Sequence, residues 1–434
     1  MRPSRLLLWL LFVALALSLV AVIAPVVPVD WALLPLAAVL VMTVLDWLIS
    51  VGPRSLDLSA SHLREVFVGE NLDIDFELKS KRKNGSLPRS KIHGRLAVVE
   101  GFETKGEFSF GKGSIRLPVL AKRRGNWLID TIWLHWKSRF QLIEFVPVRK
   151  VDLSAAVVPN IRPVTSGQID FDLRTAIFGE KQTSQRGEGS EFHQLNDYVQ
   201  GMDPRSIDWK HSARQNRLVA KEMRAERNHQ IILALDNGHL MREEINGLAR
   251  IDHKINAALA LAWAGVQGGD QVGLFSFDAR PRQYTPPQPG RTAFARLRSQ
   301  MAELQYESIE TNHTLALATL HERLNRRSLI VVFSDFVDPL SAELLLEHLA
   351  ILNRHHVIVF VSLNDPILQN LVGAKVETME GVAQSVSASN LLAERRLVFE
   401  KMSAMGIDVI ETTPGEMTPS LLNTYLAIKA KELI

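Results

Sequence analysis

The sequence predicts a multidomain chain with an N-terminal transmembrane helical hairpin, a β-sandwich-like segment and a C-terminal α/β domain of the doubly wound type. Three patterns predict this architecture. Residues 1–53 are almost uniformly apolar, residues 54–150 contain alternating apolar and polar runs, and residues 229–434 alternate apolar strands with helical periods. Residues 151–228 connect the last two parts. A chain of 434 residues is long enough for two or three domains.

The composition excludes several classes of protein. Apolar residues make up 46% and charged residues 22% of the chain, which is typical of globular proteins and not of disordered or fibrous ones. Because cysteine is absent, the chain cannot form disulfides, cysteine-ligated zinc sites, iron–sulfur clusters or a thiol nucleophile. The formal net charge is only +3, so we expect no binding of nucleic acid by the surface as a whole.

Two long apolar segments predict the transmembrane hairpin. Residues 6–29 contain no charged side chain, and residues 31–52 are interrupted only by Asp46. A helix needs about 20 such residues to cross the hydrocarbon core of a bilayer. Asp46 lies late in the second span, where it could reach the headgroups. The hairpin also contains turn prolines and candidate interfacial tryptophans: Pro25, Pro28, Trp9, Trp31 and Trp47.

The flanking charges predict the orientation of the hairpin. Arg2 and Arg5 precede the first span and Arg54 follows the second, whereas the intervening turn carries only Asp30. The positive-inside rule then places the N-terminus and everything after residue 53 in the cytoplasm, as in a bacterial inner-membrane protein. A cleaved signal peptide is the alternative. However, the first apolar run exceeds the usual signal core of about 7–15 residues, and a second span follows it.

Alternation of apolar and polar residues predicts the β-rich domain. Residues 66–68, 72–78 and 115–119 show this alternation, and Asn84 with Gly85 forms a dipeptide typical of hairpins. Basic residues surround that turn: Lys79, Lys81, Arg82, Lys83, Arg89 and Lys91. They could contact anionic lipid, but a solvated loop tip is the favoured interpretation.

Alternating strands and helices predict the C-terminal α/β domain. The predicted strands are 231–235, 272–277, 329–333, 357–362 and 407–411. The predicted helices include one that ends near residue 267, one over 292–304 and one over 314–324. The first strand ends at Asp236, and the third is followed by Ser334 and Asp335.

A polar segment between residues 186 and 214 combines glycines, aromatic residues and charges of both signs. Its order is Gly-Glu-Gly-x-Glu-Phe, Leu-x-x-Tyr and Gly-x-Asp-x-Arg-x-Ile-Asp-Trp-x-x-Ser-Ala-Arg, which resembles the hallmark of the DUF58 family, a family of unknown function. The residues that carry the resemblance are Gly187, Glu188, Gly189, Glu191, Phe192, Tyr198, Asp203, Arg205, Asp208, Trp209, Ser212 and Arg214.

The resemblance implies more than the residues show by themselves. It implies a membrane hairpin, a β segment and a C-terminal von Willebrand factor A-like (vWA-like) domain. It also implies a partnership with a MoxR-type AAA+ ATPase, and an adaptor or assembly role without an established reaction.

The polar segment also contains residue types that occur in hydrolases. Asp208, His211 and Ser212 are the types found in a catalytic triad, but a triad is recognised by its geometry and not by adjacency in sequence. Neither Ser190 nor Ser212 lies in a Gly-x-Ser-x-Gly elbow. We therefore expect a salt-bridged brace or a docking surface, with a hydrolase as the alternative.

Asp236, Thr311 and Asp335 are the candidate metal ligands. Ligands of doubly wound sheets bind outside the carboxyl ends of the strands, where both aspartates fall. In a vWA-like domain, an Asp-x-Ser-x-Ser loop, a threonine and an aspartate form a metal-ion-dependent adhesion site. Here Gly238 and Leu240 replace both serines, so the site is degenerate. Its oxygen ligands suit magnesium or manganese. Alternatively, Asp236 caps a helix and Asp335 bonds to a loop.

Together these observations predict a membrane-tethered, cytoplasm-facing interaction protein rather than an enzyme. Its strand ends would bind a protein partner, which the resemblance implies is a MoxR-type ATPase. No certain cofactor is predicted, although magnesium is the expected cation if the degenerate site is occupied. A hydrolase built on the polar segment, or a passive envelope-organising protein, remains the alternative.

Overall fold

The computed structural model describes residues 1–23, 29–81, 87–88, 90–97, 100–104, 106–111, 113–162, 191–199, 202–224, 229–336, 339–373 and 378–431. The chain divides into two compact units, Met1–Pro159 and Asn160–Ile434. Each unit has its own hydrophobic core.

The first unit begins with a short strand and two apolar helices. They are β1 (Arg2–Pro3), α1 (Arg5–Ile23) and α2 (Leu34–Ile49). Both helical segments are long and apolar enough to cross a membrane, and large side chains such as Phe12 and Leu40 are 65% and 66% exposed. Because so much apolar surface would be unfavourable in water, the two helices indicate membrane association.

Both ends of this hairpin bind the same segment, residues 138–142. Near the end of α2, Asp46 is fully buried, and its carboxylate accepts hydrogen bonds from Ser138 Oγ at 2.5 Å and from two backbone N–H groups at 2.9 and 3.3 Å. Just before α1, the Ser4 N–H donates to the Leu142 carbonyl at 3.0 Å. The carboxylate therefore connects α2 to the β-rich part instead of reaching towards headgroups. The predicted turn residues Pro25 and Pro28 lie outside the described residues.

The rest of the first unit is a sandwich of two sheets. Its strands are β2 (Leu56–His62), β3 (Glu65–Phe67), β4 (Asn71–Ser80), β5 (Ile92–Leu96), β6 (Phe102–Glu103), β7 (Glu107–Phe110), β8 (Ser114–Ala121), β9 (Gly125–Lys137), β10 (Ile143–Phe145) and β11 (Val148–Val158). One sheet has the order β2-β4-β8-β6. The other has the order β1-β10-β9-β11-β3, and β5 joins β7 to β9. The pairs are antiparallel except for β3 with β11, which is parallel.

Strand β4 shows how the sequence pattern produces the sandwich. Its apolar residues Leu72, Ile74, Phe76 and Leu78 are at most 3% exposed, whereas the acidic residues between them face solvent. Phe76 stacks on Phe108 of the other sheet, with ring centroids 5.8 Å apart. The predicted alternation is therefore confirmed, because residues with period two point to one face of a strand.

The basic turn is only partly described. Its described residues are exposed: Lys79, Lys81 and Lys91. The remaining residues of that prediction lie outside the described part of the chain: Arg82, Lys83, Asn84, Gly85 and Arg89.

The second unit combines a β-hairpin with a mixed α/β sheet. The hairpin region contains β12 (Glu191–Asp197), α3 (Trp209–Gln215) and β13 (Val219–Arg224). The α/β part contains β14 (Gln230–Asp236), β15 (Glu244–Ile245), β16 (Leu248–Ala249), α4 (Arg250–Gln267), β17 (Gln271–Phe277), β18 (Pro281–Gln288), α5 (Arg291–Ala302), α6 (His313–Arg323), β19 (Ser328–Phe333), α7 (Pro339–Asn353), β20 (Val357–Leu363), α8 (Pro366–Gly373), α9 (Met379–Ala404), β21 (Asp408–Thr412) and α10 (Met417–Ala430).

Six strands form the large sheet, in the order β18-β17-β14-β19-β20-β21. Five are parallel, and β18 is an antiparallel edge. The central strands are continuously apolar because helices cover both faces. Ile231 faces α4 at Gly265, where a Cβ atom would lie 2.8 Å from Ile231 Cδ1. The next residue, Ile232, belongs to the core built with Leu317 of α6 and Leu345 of α7.

Candidate functional site

The candidate site lies at the carboxyl edge of the six-stranded sheet. Asp236 is the last residue of β14, and Asp335 follows the end of β19 by two residues. The two strands are parallel neighbours, with Leu235 paired to Phe333, so both aspartates lie at the same edge. Both are 2% exposed. Two buried carboxylates at one edge need hydrogen bonds or opposite charges, and the fold supplies both.

Asp236 is satisfied by hydrogen bonds. Its Oδ1 accepts from Thr311 Oγ1 at 2.7 Å and from the Gly238 N–H at 2.9 Å, and its Oδ2 accepts from Ser334 Oγ at 2.5 Å. His313 Nε2 lies 2.8 Å from Ser334 Oγ and 3.6 Å from Asp236 Oδ2. Burial opposes ionisation of Asp236, but these donors outweigh burial and hold its pKa below the ordinary value.

Asp335 is satisfied by positive charges. Lys254 Nζ lies 2.6 Å from its Oδ2, and Arg250 Nη1 lies 3.6 Å from the same atom. Arg395 Nη2 lies 3.0 Å from Oδ1, to which the Ser362 hydroxyl also donates. Burial raises the pKa of Asp335, but the charges of Lys254, Arg395 and Arg250 outweigh it and hold the pKa well below its usual range.

The two arginines are themselves held in place. Arg250 donates to Asp365 at 2.8 Å and pairs with Glu243 at 3.1 Å. Arg395 donates to the Leu363 carbonyl at 3.0 Å and to Glu411 at 3.1 Å. The guanidinium groups therefore cannot leave Asp335 without losing several other bonds, which makes this edge rigid.

The predicted metal ligands meet only in part. Thr311 donates to Asp236, but the contacts of Asp335 are with cations and with the Ser362 hydroxyl. A Cβ atom at Gly238 would lie 1.9 Å from Thr311 Oγ1, so the threonine fills space that a side chain at 238 would need. Protein donors engage all four oxygens of the Asp236 and Asp335 carboxylates, and the Lys254 ammonium supplies positive charge next to Asp335. This donor set does not fit a divalent cation, which needs free oxygen ligands. Across the part of the chain that the structure describes, no three His, Asp or Glu side chains form a metal-binding group.

Sequence reasoning missed the three cations. Arg250 and Lys254 are one helical turn apart on α4, in a helix whose other buried residues are mostly apolar. Two basic residues on the buried side of a helix are a signal that could have been used, because buried charges are rare unless they are paired. Arg395 gives no such signal, since it lies in a long helix most of whose residues are exposed.

A cavity of about 330 Å³ opens beside Asp335. Its apolar wall comes from the loop after β19 and from helices α7 and α9, with Phe336, Leu346, Leu391 and Val398 as examples. Arg395 lies over the Phe336 ring, 5.6 Å from its centroid. The edge of the sheet thus combines a rigid charged cluster with an apolar recess.

In the polar signature, Asp208 organises the start of α3. Its Oδ1 accepts from the N–H groups of Lys210 and His211 at 3.0 and 3.1 Å, which is helix capping. Its Oδ2 lies 2.9 Å from His211 Nδ1 and 3.3 Å from Lys221 Nζ. The hydrogen bonds from His211 and Lys221 hold the pKa of Asp208 well below its usual range.

Ser212 does not complete a triad with this pair. Its hydroxyl accepts from the Val219 N–H at 2.9 Å and donates to the Val219 carbonyl at 3.4 Å, so it ties α3 to β13. The backbone N–H of Asp208 also donates to the Val219 carbonyl, at 2.9 Å. These contacts are those of a structural brace.

The other signature residues divide between local bonds and solvent. Tyr198 donates to the Met202 carbonyl at 3.0 Å, and Asp203 accepts from the Arg205 N–H at 2.9 Å. The remaining described side chains are exposed: Arg205, Trp209 and Arg214. Glu191 and Phe192 lie in β12, paired with β13. Three signature residues lie outside the described residues: Gly187, Glu188 and Gly189.

The fold and the site define a membrane-associated chain with an α/β unit whose strand-end aspartates are satisfied internally, Asp236 by hydrogen bonds and Asp335 by positive charges. The family model of DUF58, described as a protein of unknown function, matches residues 194–389. The match over these residues confirms the resemblance to the DUF58 family that the signature between residues 186 and 214 predicts. No curated protein matches it.

Several solved structures share weak similarity with the chain. A conserved hypothetical protein BatB from Bacteroides thetaiotaomicron is 11% identical, with a TM-score of 0.25 over 41% of this chain and 99% of that one. An uncharacterized membrane spanning protein from Vibrio fischeri is 15% identical, with a TM-score of 0.18 over 46% of this chain and 99% of that one. Proximal thread matrix protein 1 from the mussel byssus is 8% identical, with a TM-score of 0.27 over 46% of this chain and 45% of that one. At these TM-scores the similarities carry no argument about function.

Proposed function

We propose that this protein is a membrane-tethered adaptor whose vWA-like domain, residues 229–434, binds a protein partner at the carboxyl edge of its six-stranded sheet. The observation that carries the proposal is the neutralisation of Asp335 by Lys254, Arg250 and Arg395. A vWA-like site that recruits a metal needs a free carboxylate, whereas this edge holds its own positive charge. The docking surface is therefore preformed and independent of a divalent cation.

Binding rather than catalysis is the activity that this edge supports best. The carboxylates of Asp236 and Asp335 are buried and fully engaged, so neither is available as a general base or as a nucleophile. The cavity beside them has an apolar wall, and its guanidinium groups already bind other residues. Such an arrangement suits recognition of a fixed surface.

The partner that we propose is a MoxR-type AAA+ ATPase, in keeping with the family resemblance. In this scheme the ATPase supplies the energy for assembling or remodelling protein complexes, and this chain localises it at the membrane. We propose the inner membrane and a cytoplasmic location for both units. The bonds from Asp46 and Ser4 to residues 138–142 support a hairpin whose two ends lie on one side of the bilayer.

A capture experiment tests this proposal. The full chain in lipid nanodiscs is immobilised and exposed to a nucleotide-free MoxR-type ATPase, with magnesium or with a chelator. We expect equal capture in both conditions, and weaker capture by Asp335→Asn. Capture only with magnesium would show that a metal forms the docking surface. Absence of capture in both conditions would refute the adaptor role.

One observation favours a hydrolase as the second candidate. Asp208 and His211 form a pair at 2.9 Å, and the histidine side chain is 42% exposed. Such a pair could serve as a general base, although Ser212 is bound to Val219 instead. The full chain is incubated with ester and phosphate substrates, and turnover that His211→Ala abolishes would establish this alternative.

A further inference from the structure

The charge around the cavity beside Asp335 is unevenly distributed. Five acids and three bases line it: Glu243, Asp335, Glu343, Asp365, Glu394, Arg250, Arg395 and Lys401. The bases in its depth, Arg250 and Arg395, are already bound to carboxylates. At the rim, Glu343 and Glu394 are exposed and form no ion pair with any other residue that the structure describes. The cavity therefore presents an acidic rim to an incoming group, with Lys401 as its one partly opposing charge.

The size and the walls of the cavity define the rest of the ligand. At about 330 Å³, it lies at the small end of ligand-binding cavities, which span roughly 300–1,000 Å³. Its wall is aliphatic and aromatic, and Leu391 and Leu397 extend the apolar surface to the rim, where they are 38% and 58% exposed. One large apolar side chain fits such a recess, and the backbone that carries it would pass the rim.

We propose that this cavity receives an apolar anchor residue of a protein segment in which lysine or arginine lies next to the anchor. The inference rests on the proposed function, since it assumes that this edge docks a protein, and it specifies the chemistry of the docked segment. The basic neighbour pairs with Glu343 and Glu394 at the rim. This preference is opposite to that of a metal-dependent adhesion site, whose open position takes a carboxylate.

Selection from a random peptide library tests this chemistry without any assumed partner. The probe is a phage-displayed library of linear twelve-residue peptides, selected on the full chain in lipid nanodiscs. Enriched peptides are then measured against Glu343→Lys/Glu394→Lys and against a matched control, Glu347→Lys/Glu380→Lys. The control changes two exposed glutamates of the same helices, α7 and α9, that do not line the cavity.

We expect the enriched peptides to share a large aliphatic or aromatic residue beside lysine or arginine. Reversal of both rim charges should weaken their binding about tenfold, which corresponds to about 1.4 kcal/mol, because two favourable charge contacts become repulsive. The control should bind as the wild type does. Enrichment of acidic peptides, equal binding by the rim variant or no enrichment would overturn the inference. The ATPase capture experiment is separate, so capture without this peptide preference would refute the inference alone.

Discussion

Removing either partner of the Lys254–Asp335 pair should destabilise the second unit, but by different amounts. In Asp335→Asn, the Lys254 ammonium, which is 1% exposed, loses its carboxylate at 2.6 Å. An uncompensated buried charge of this kind costs about 3–5 kcal/mol. In Lys254→Met, the carboxylate keeps Arg395 at 3.0 Å, Arg250 at 3.6 Å and the Ser362 hydroxyl. The loss is then one hydrogen bond between charged groups, about 1.5–3 kcal/mol.

Hydrogen exchange of the β14 and β19 amides, followed by mass spectrometry, measures both losses within the second unit. Each 1.4 kcal/mol corresponds to about a tenfold faster exchange, so Asp335→Asn should exchange roughly tenfold faster than Lys254→Met. Asp408→Asn, an exposed change in β21, is the control and should exchange as the wild type does. Equal rates for the two variants, or faster exchange in Lys254→Met, would refute the assignment of Lys254 as the resident cation.

The same pair predicts a pH signature. Burial lowers the pKa of Lys254 below its ordinary value, and Asp335 opposes that shift. Without Asp335, the folded pKa falls further while the unfolded value stays near 10.5. In the alkaline range below 10.5, the unfolded chain of Asp335→Asn then binds more protons than the folded chain over a wider pH interval, so its stability there should rise more steeply with pH than that of the wild type. Parallel stability–pH curves would contradict this reasoning.

Three further predictions concern other contacts. Gly238→Ala should destabilise the second unit by about 1–3 kcal/mol in the same exchange assay, because the new Cβ would overlap Thr311; an unchanged rate would show that the threonine moves freely. Asp46→Ala should lower the free energy of unfolding of the first unit by about 2–4 kcal/mol and speed proteolysis at residues 138–142, because it leaves buried N–H groups unpaired. Unaltered cleavage would refute the role of Asp46 in holding this segment. Burial, with nearby His321, His355 and Arg327, lowers the pKa of His356 to about 4, below its ordinary 6.5, so the unfolded chain binds more protons between these values. Stability should therefore fall as pH drops from 6.5 to 4, by up to about 3 kcal/mol, and His356→Phe should flatten a curve of melting temperature against pH.

Local sequence patterns determined much of the architecture. The continuous apolar runs before residue 53 determined the two helices, because a helix of about 20 apolar residues is as long as the hydrocarbon core of a bilayer is thick. Alternation in β4 determined which of its faces is buried, and the uniformly apolar β14 and β19 indicated strands covered on both sides. The positions of Asp236 and Asp335 at one sheet edge followed from the same pattern, since parallel strands end together.

What the aspartates do was decided by the tertiary structure. Lys254 lies 81 residues from Asp335 in sequence, Arg395 lies 60 residues from it, and Ser138 lies 92 residues from Asp46. The sequence resembles a metal site at Asp236, Thr311 and Asp335 because the ligand types occur in the right order along the chain. Periodicity specifies which face of an element is buried, but it does not specify which buried charges meet. Which buried charges meet depends on strand order and on how α4 and α9 pack. In this chain, that packing places the Lys254 ammonium and the guanidinium groups of Arg250 and Arg395 where a divalent cation was expected.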